Sequence, residues 1–195
     1  MKLIKAATIA VSMAVAAGAA YCEPLKLKPA SPQPSGLKAG LAVDYAWLGR
    51  PPRKINSVTE AKQLLQASAA PGRPLRGLDY RDTNKGDPVM THPEHYNVAA
   101  DIRGYIKFDA PGIYQIETWS NDGLDARIGG QKVGSAGDNH PCGSNQLVDV
   151  VVPSAGWYDL SMTYFQKYGT SCLMMKWGKD GEKLSWVPNN VFGYK

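Results

Sequence analysis

Apolar and polar residues alternate with a period of two through most of the second half of the chain, the pattern of strands buried on one face. Ile106 and Phe108 flank Lys107, and Tyr114, Ile116 and Thr118 alternate with Gln115, Glu117 and Trp119. The spacing recurs at Tyr158, Leu160, Met162 and Tyr164 and again at Leu173, Met175 and Trp177. Between the first two runs stands Pro111-Gly112. Proline presets φ near −65° and glycine accepts the positive φ of a type II turn, so residues 104–123 read as a β-hairpin that runs out into the polar loop Ser120-Asn121-Asp122-Gly123. Tyr114, Ile116, Leu160, Met162, Leu173 and Met175 are expected to point into one core.

Only one segment has helical periodicity. Val58, Ala61, Leu64 and Leu65 fall on one face, with Ser57 as N-cap and Glu60 three residues on as a capping box, until Pro71 and Gly72 stop the helix. Leu37, Leu41 and Val43 to Trp47 suggest a strand before it, interrupted by Arg50 to Lys54. From Asp101 onward only strands and turns are read, which makes the protein an all-β antiparallel type with one short helix in its N-terminal half. Periodicity does not separate a β-sandwich from a barrel. No repeat at a fixed period points to a solenoid or propeller.

The N-terminus changes the picture of where the protein works. Lys2 and Lys5 precede an uncharged small and apolar run, Ala6 to Ala20, the layout of a secretory signal peptide with cleavage after Ala19 or Ala20. The run is short of the roughly 20 residues that span a bilayer, so export is expected, to the periplasm, the cell surface or the medium. A lipid anchor at Cys22 ranks second, because the bulky Tyr21 would adjoin the cleaved bond. Residues 1–20 are thus read as leader, 21–35 as a proline-rich tether and 36–195 as one domain. Of 22 basic residues two lie in the leader, which leaves 20 against 17 acidic ones, a mild excess compatible with acidic polysaccharide or an anionic envelope surface. Among three cysteines, Cys142 and Cys172 both fall inside the predicted domain whereas Cys22 sits at the leader junction, so Cys142–Cys172 is the expected disulfide.

The run from Gly104 to Gly123 resembles the signature of the protective-antigen-14 (PA14) domain family: a Gly-aromatic strand, a Pro/Gly turn, a G-x-Y strand, then Ser-Asp-Asp-Gly. Leu124, Ala126 and Ile128 with Gly129-Gly130, then GWYDLSMTYFQ, LMMKWG at Leu173 to Gly178 and WVPNNVFGY at Trp186 to Tyr194 are similar to the strands that follow. The resemblance spans most of the chain from Gly36 and implies a β-sandwich. It further implies a lectin- or adhesin-type module. In the lectin-like branch two consecutive aspartates at this loop, joined by a cis peptide, bind calcium, and the calcium binds sugar hydroxyls. Here the first is Asn121, which keeps a carbonyl oxygen and lacks one charge, and calcium affinity follows charge count.

The resemblance points to Asn121, Asp122 and Asp138 as calcium ligands, with Trp119, Asn139 and His140 on the rim of a glycan site. The local alternative is an Asx-type turn of Asn121 and Asp122 with Gly123 supplying positive φ. Gly134 to Gly143 reads as a second loop anchored by Cys142. Trp119, Trp157 and Tyr168 are candidates for stacking on sugar rings or for core packing. His92 and His95 have zinc spacing only on a helix, which Pro93 disfavours. The sequence has no G-x-S-x-G elbow, phosphate loop or H-E-x-x-H, and no basic and aromatic stripe for nucleic acid. The expectation is an exported, non-catalytic module for a glycan or envelope polysaccharide, assisted by calcium and by no other cofactor. The alternative is a structural module that binds an envelope protein without a calcium site.

Overall fold

A computed structural model describes residues 23–195, so the leader and Cys22 lie outside the described residues. Two sheets face each other. In the first, the order is β1 (Leu25–Lys26), β10 (Gly143–Val152), β7 (Gly112–Asn121), β12 (Cys172–Lys179) and β13 (Ser185–Trp186), with β5 (Asp79–Tyr80) also paired to β12. The second runs β2 (Lys38–Ala39), β14 (Phe192–Tyr194), β6 (Val98–Phe108), β11 (Gly156–Gln166), β8 (Leu124–Ile128) and β9 (Gln131–Ala136). Strand β3 (Ala42–Trp47) pairs with β6 and with β4 (Ala70–Pro71).

The alternation in the sequence sets the core. Ile106 and Phe108 from β6, Ile116 from β7, Tyr158, Leu160, Met162 and Tyr164 from β11, and Leu173 and Met175 from β12 form one buried cluster between the sheets. Tyr114 is half-buried and meets the Phe108 ring edge-on at 5.1 Å. Outside the second sheet, α1 (Val58–Ser68) packs Ala61 and Leu65 onto Ala46, Ala99 and Phe165, a smaller second core. Ser57 caps it through its Oγ on the Glu60 N–H at 3.2 Å, and the Glu60 carboxylate reaches back to the Asn56 N–H at 2.8 Å.

The structure departs from the sequence pattern in two places. Residues 104–123 are not a hairpin: β6 and β7 lie in different sheets, so the Pro111-Gly112 turn arches across the sandwich. Alternation reports which face is buried and says nothing of the hydrogen-bonding neighbour, and here β6 pairs along its full length with β11 while β7 lies between β10 and β12. Nor is the proline-rich segment free of the core. Leu25 and Lys26 pair in parallel with Val150 and Val151, Leu27 is buried, and the Lys28 and Ala30 N–H groups donate to the Gly129 and Trp157 carbonyls. Its prolines break periodicity without preventing a single extended ribbon from docking on an edge.

Candidate functional site

The chain leaves the first sheet at Asn121 and enters the second at Leu124, and this crossing is pinned on both sides. Asn121 lies opposite Cys172 in the β7–β12 register, and its carbonyl accepts a hydrogen bond from the buried Tyr164 hydroxyl. The Asp122 N–H donates to the Phe165 carbonyl and the Phe165 N–H to the Gly123 carbonyl, both at 3.1 Å, extending the β8–β11 ladder. The Asn121–Asp122 peptide is cis. Ser120 Oγ donates to the Asp122 carbonyl at 2.6 Å and accepts from Asn145 Nδ2 at 2.8 Å.

Both side chains of the pair are nearly enclosed, Asn121 at 6% and Asp122 at 4% exposure, yet neither makes a local turn. Asn121 Nδ2 donates to Thr170 Oγ1 at 3.0 Å, and Asp122 Oδ2 accepts from the Lys167 N–H at 2.7 Å. The β11–β12 connection therefore does the holding that an Asx turn would have done. Gly123 also has a different role from the one expected. It is absent from the positive-φ residues, and a Cβ there would stand 2.2 Å from Phe165 Cε1, so glycine is required by close packing.

The second loop closes over the pair. Cys142 and Cys172 are disulfide-bonded with Cα atoms 5.9 Å apart, which ties the loop after β9 to the residue facing Asn121. A cleft of about 310 Å³ results, lined by Asn121, Asp122, Asn139, His140, Tyr168 and Thr170 among others. Lys167 Nζ donates to Asn139 Oδ1 at 3.3 Å, and His140 Nε2 stands 3.5 Å from Ser120 Oγ. Burial pushes the Asp122 carboxyl up, against hydrogen bonds from the Lys167 and His140 backbones and the charges of those two residues.

Asp138 is exposed and does not line this cleft. Trp119 lies away from it: its ring packs against Trp186 at 6.2 Å, with the Lys176 ammonium 4.6 Å from both ring centroids. Trp157 sits at the far end of β11 from the crossing. Of the three aromatics, Tyr168 lines the cleft, and it is 55% exposed. His92 Nδ1 accepts from the Glu94 N–H at 3.1 Å, and burial lowers its pKa. Among the described residues no three His, Cys, Asp or Glu side chains are grouped to hold a metal ion. The oxygen-bearing side chains lining the cleft include one carboxylate and the carboxamides of Asn121 and Asn139, hard ligands of low total charge, with Asp122 Oδ2 and Asn139 Oδ1 already accepting from Lys167. Tyr164, Lys167 and Thr170 were invisible as site residues from sequence, because each contributes through contacts some 43 to 49 residues distant along the chain.

No family model matches the sequence, and neither does any curated protein sequence. Solved structures do match. The PA14 domain of the antifreeze protein MpAFP superposes with a TM-score of 0.68 at 15% identity, over 83% of this chain and 93% of that one. The PA14 sugar-binding domain of an RTX adhesin gives a TM-score of 0.62 at 14% identity, over 80% of this chain and 99% of that domain. The epithelial adhesin 9 A domain of Candida glabrata, solved with Galb1-3GlcNAc, gives 0.65 at 15% identity, over 88% of this chain and 95% of the domain. With its two facing sheets, its helix α1 packed outside the second sheet and its loop crossing at Asn121-Asp122, the chain folds as a PA14-type β-sandwich.

Proposed function

We propose that this protein is an exported, non-catalytic glycan-binding module of the cell envelope whose ligand rim is Asn121, Asp122, Asn139 and His140. The observation that carries the reading is the cleft at the crossing, lined by an enclosed carboxylate and by Pro141, which is next in sequence to the bridged Cys142. Sugars are recognised by fixed polar groups that match hydroxyls beside an aromatic or apolar surface, and Tyr168 supplies the latter. Structural neighbours solved with galactosides or described as sugar-binding support the reading.

Calcium fits as an assisting cation of modest affinity. Asn121, Asp122 and Asn139 would hold it, and it would supply a positive centre for vicinal hydroxyls. Asn121, which stands where the lectin-like branch of the resembled family carries an aspartate, and the Lys167 ammonium on Asn139 favour a second reading in which the envelope module binds a protein partner and holds no calcium. A glycan array probed with the full chain, with and without chelator, separates the two. Binding to a glycan set that is lost in Asp122→Ala is the expected result, and a blank array in calcium and in chelator overturns the glycan reading.

A further inference from the structure

A second and larger cleft, about 600 Å³, adjoins the first and shares Tyr168 with it. Lys54, Lys85, His95, Tyr96 and Lys167 line it, and no Asp or Glu does. Among the described residues, none of these three lysines takes part in an ion pair. Two of their ammonium groups instead stand near the Tyr168 ring, Lys54 at 4.9 Å and Lys167 at 5.6 Å from its centroid. A ring attracts a cation without neutralising it, so the charge stays available to a ligand.

The loop that carries Lys54 is also fixed in place. Asn97 is 1% exposed, and its Nδ2 donates to the Gly49 and Arg53 carbonyls at 2.9 Å each while its Oδ1 accepts from the Ile55 N–H at 3.3 Å. Residues 49–55 are thereby tied to the start of β6 beside the cleft. The arrangement is a trough lined by three lysines, Tyr96 and Tyr168, and it shares Tyr168 with the proposed sugar rim.

We propose that this trough takes the carboxylates of a uronic-acid polysaccharide, one residue of which occupies the rim at Asn121-Asp122. The proposal rests on the glycan-binding reading and narrows it to acidic glycans. Exposed lysine–carboxylate contacts are individually weak and screened by salt, so affinity should depend on several together and fall steeply with ionic strength.

The test titrates the full chain with hexamers of galacturonate and of mannuronate and with their methyl esters, which keep the sugar and remove the charge. The acid forms should bind, roughly tenfold more weakly at about 0.5 M than at about 0.05 M salt, and the esters poorly. Lys54→Gln with Lys85→Gln should weaken the acids by roughly tenfold, taking two- to fivefold per contact, with an unchanged melting temperature. Equal binding of acid and ester overturns the proposal and leaves the sugar reading intact, as does binding of neutral array glycans alone. Failure of every glycan overturns both. Tight binding to phosphatidylglycerol vesicles that the double variant loses, with no uronate binding, reassigns the trough to a membrane surface.

Discussion

Asp122 carries a charge that the fold does not welcome, since burial raises its pKa despite the two backbone N–H groups and the neighbouring cations. A carboxyl whose folded pKa is raised releases its proton first in the unfolded chain. Stability therefore falls as pH climbs from the unfolded value, about 3.9, through the folded one. A divalent cation favours the ionised form, so calcium-dependent stabilisation should weaken as pH drops through the raised pKa of Asp122. Asp122→Ala should abolish the rise of melting temperature in millimolar calcium, and Asn121→Asp should enlarge it by restoring a charge. A melting temperature indifferent to calcium in both the wild type and Asn121→Asp rejects the calcium mechanism. Gly123→Ala belongs to the same scale: its Cβ would meet Phe165 Cε1 at 2.2 Å and the Ala136 carbonyl oxygen at 3.0 Å, and a chemical denaturation curve should record a loss of about 1–3 kcal/mol. The sequence marked Asn121, Asp122 and Gly123 as special but assigned the glycine to backbone freedom, because Phe165 is a neighbour only in space.

Strands were legible where alternation was clean, and their partners were not. On β10 and β11 the contrast between faces makes this measurable. Leu160, 2% exposed, should cost about 2–5 kcal/mol as Leu160→Ala, whereas Leu147→Ala, at a site 52% exposed, should change little. Equal losses would contradict the register. The helix was legible from its cap, since Ser57 and Glu60 bond the backbone groups that open the first turn. Its docking was not, for Lys62 pairs with Asp125 on β8 across 63 residues. Burial raises the Asp125 carboxyl, but Lys62, Lys132 and Arg127 more than reverse this and hold its pKa below the usual range. That contribution is complete above the unfolded value of about 3.9 and disappears as pH falls through the lowered folded value, so Asp125→Asn should flatten the acid limb of the stability profile.

For the molecule as a whole, the edge ribbon of residues 23–36 belongs to the folded unit. Leu27, 1% exposed, should behave as a core residue, losing about 2–5 kcal/mol as Leu27→Ala in the same denaturation assay. A neutral result would restore the tether. Composition misled here because proline-rich segments and docked edge strands share the same lack of periodicity, and only the hydrogen bonds to Val151, Gly129 and Trp157 tell them apart. The bridge between Cys142 and Cys172 acts at this scale too, closing a separation of 30 residues and so stabilising the fold by about 3–4 kcal/mol in the chain-entropy picture. Its position gives it a second effect. The same bond that secures the sandwich anchors the loop carrying Asn139 and His140 to the strand facing Asn121, so the thiol chemistry of the compartment bears on the proposed rim as well as on the fold. Under the export and glycan-binding reading proposed above, a chain held reduced before translocation would carry every rim residue and lack the bond that fixes the loop beside them, and oxidation would be its last maturation step.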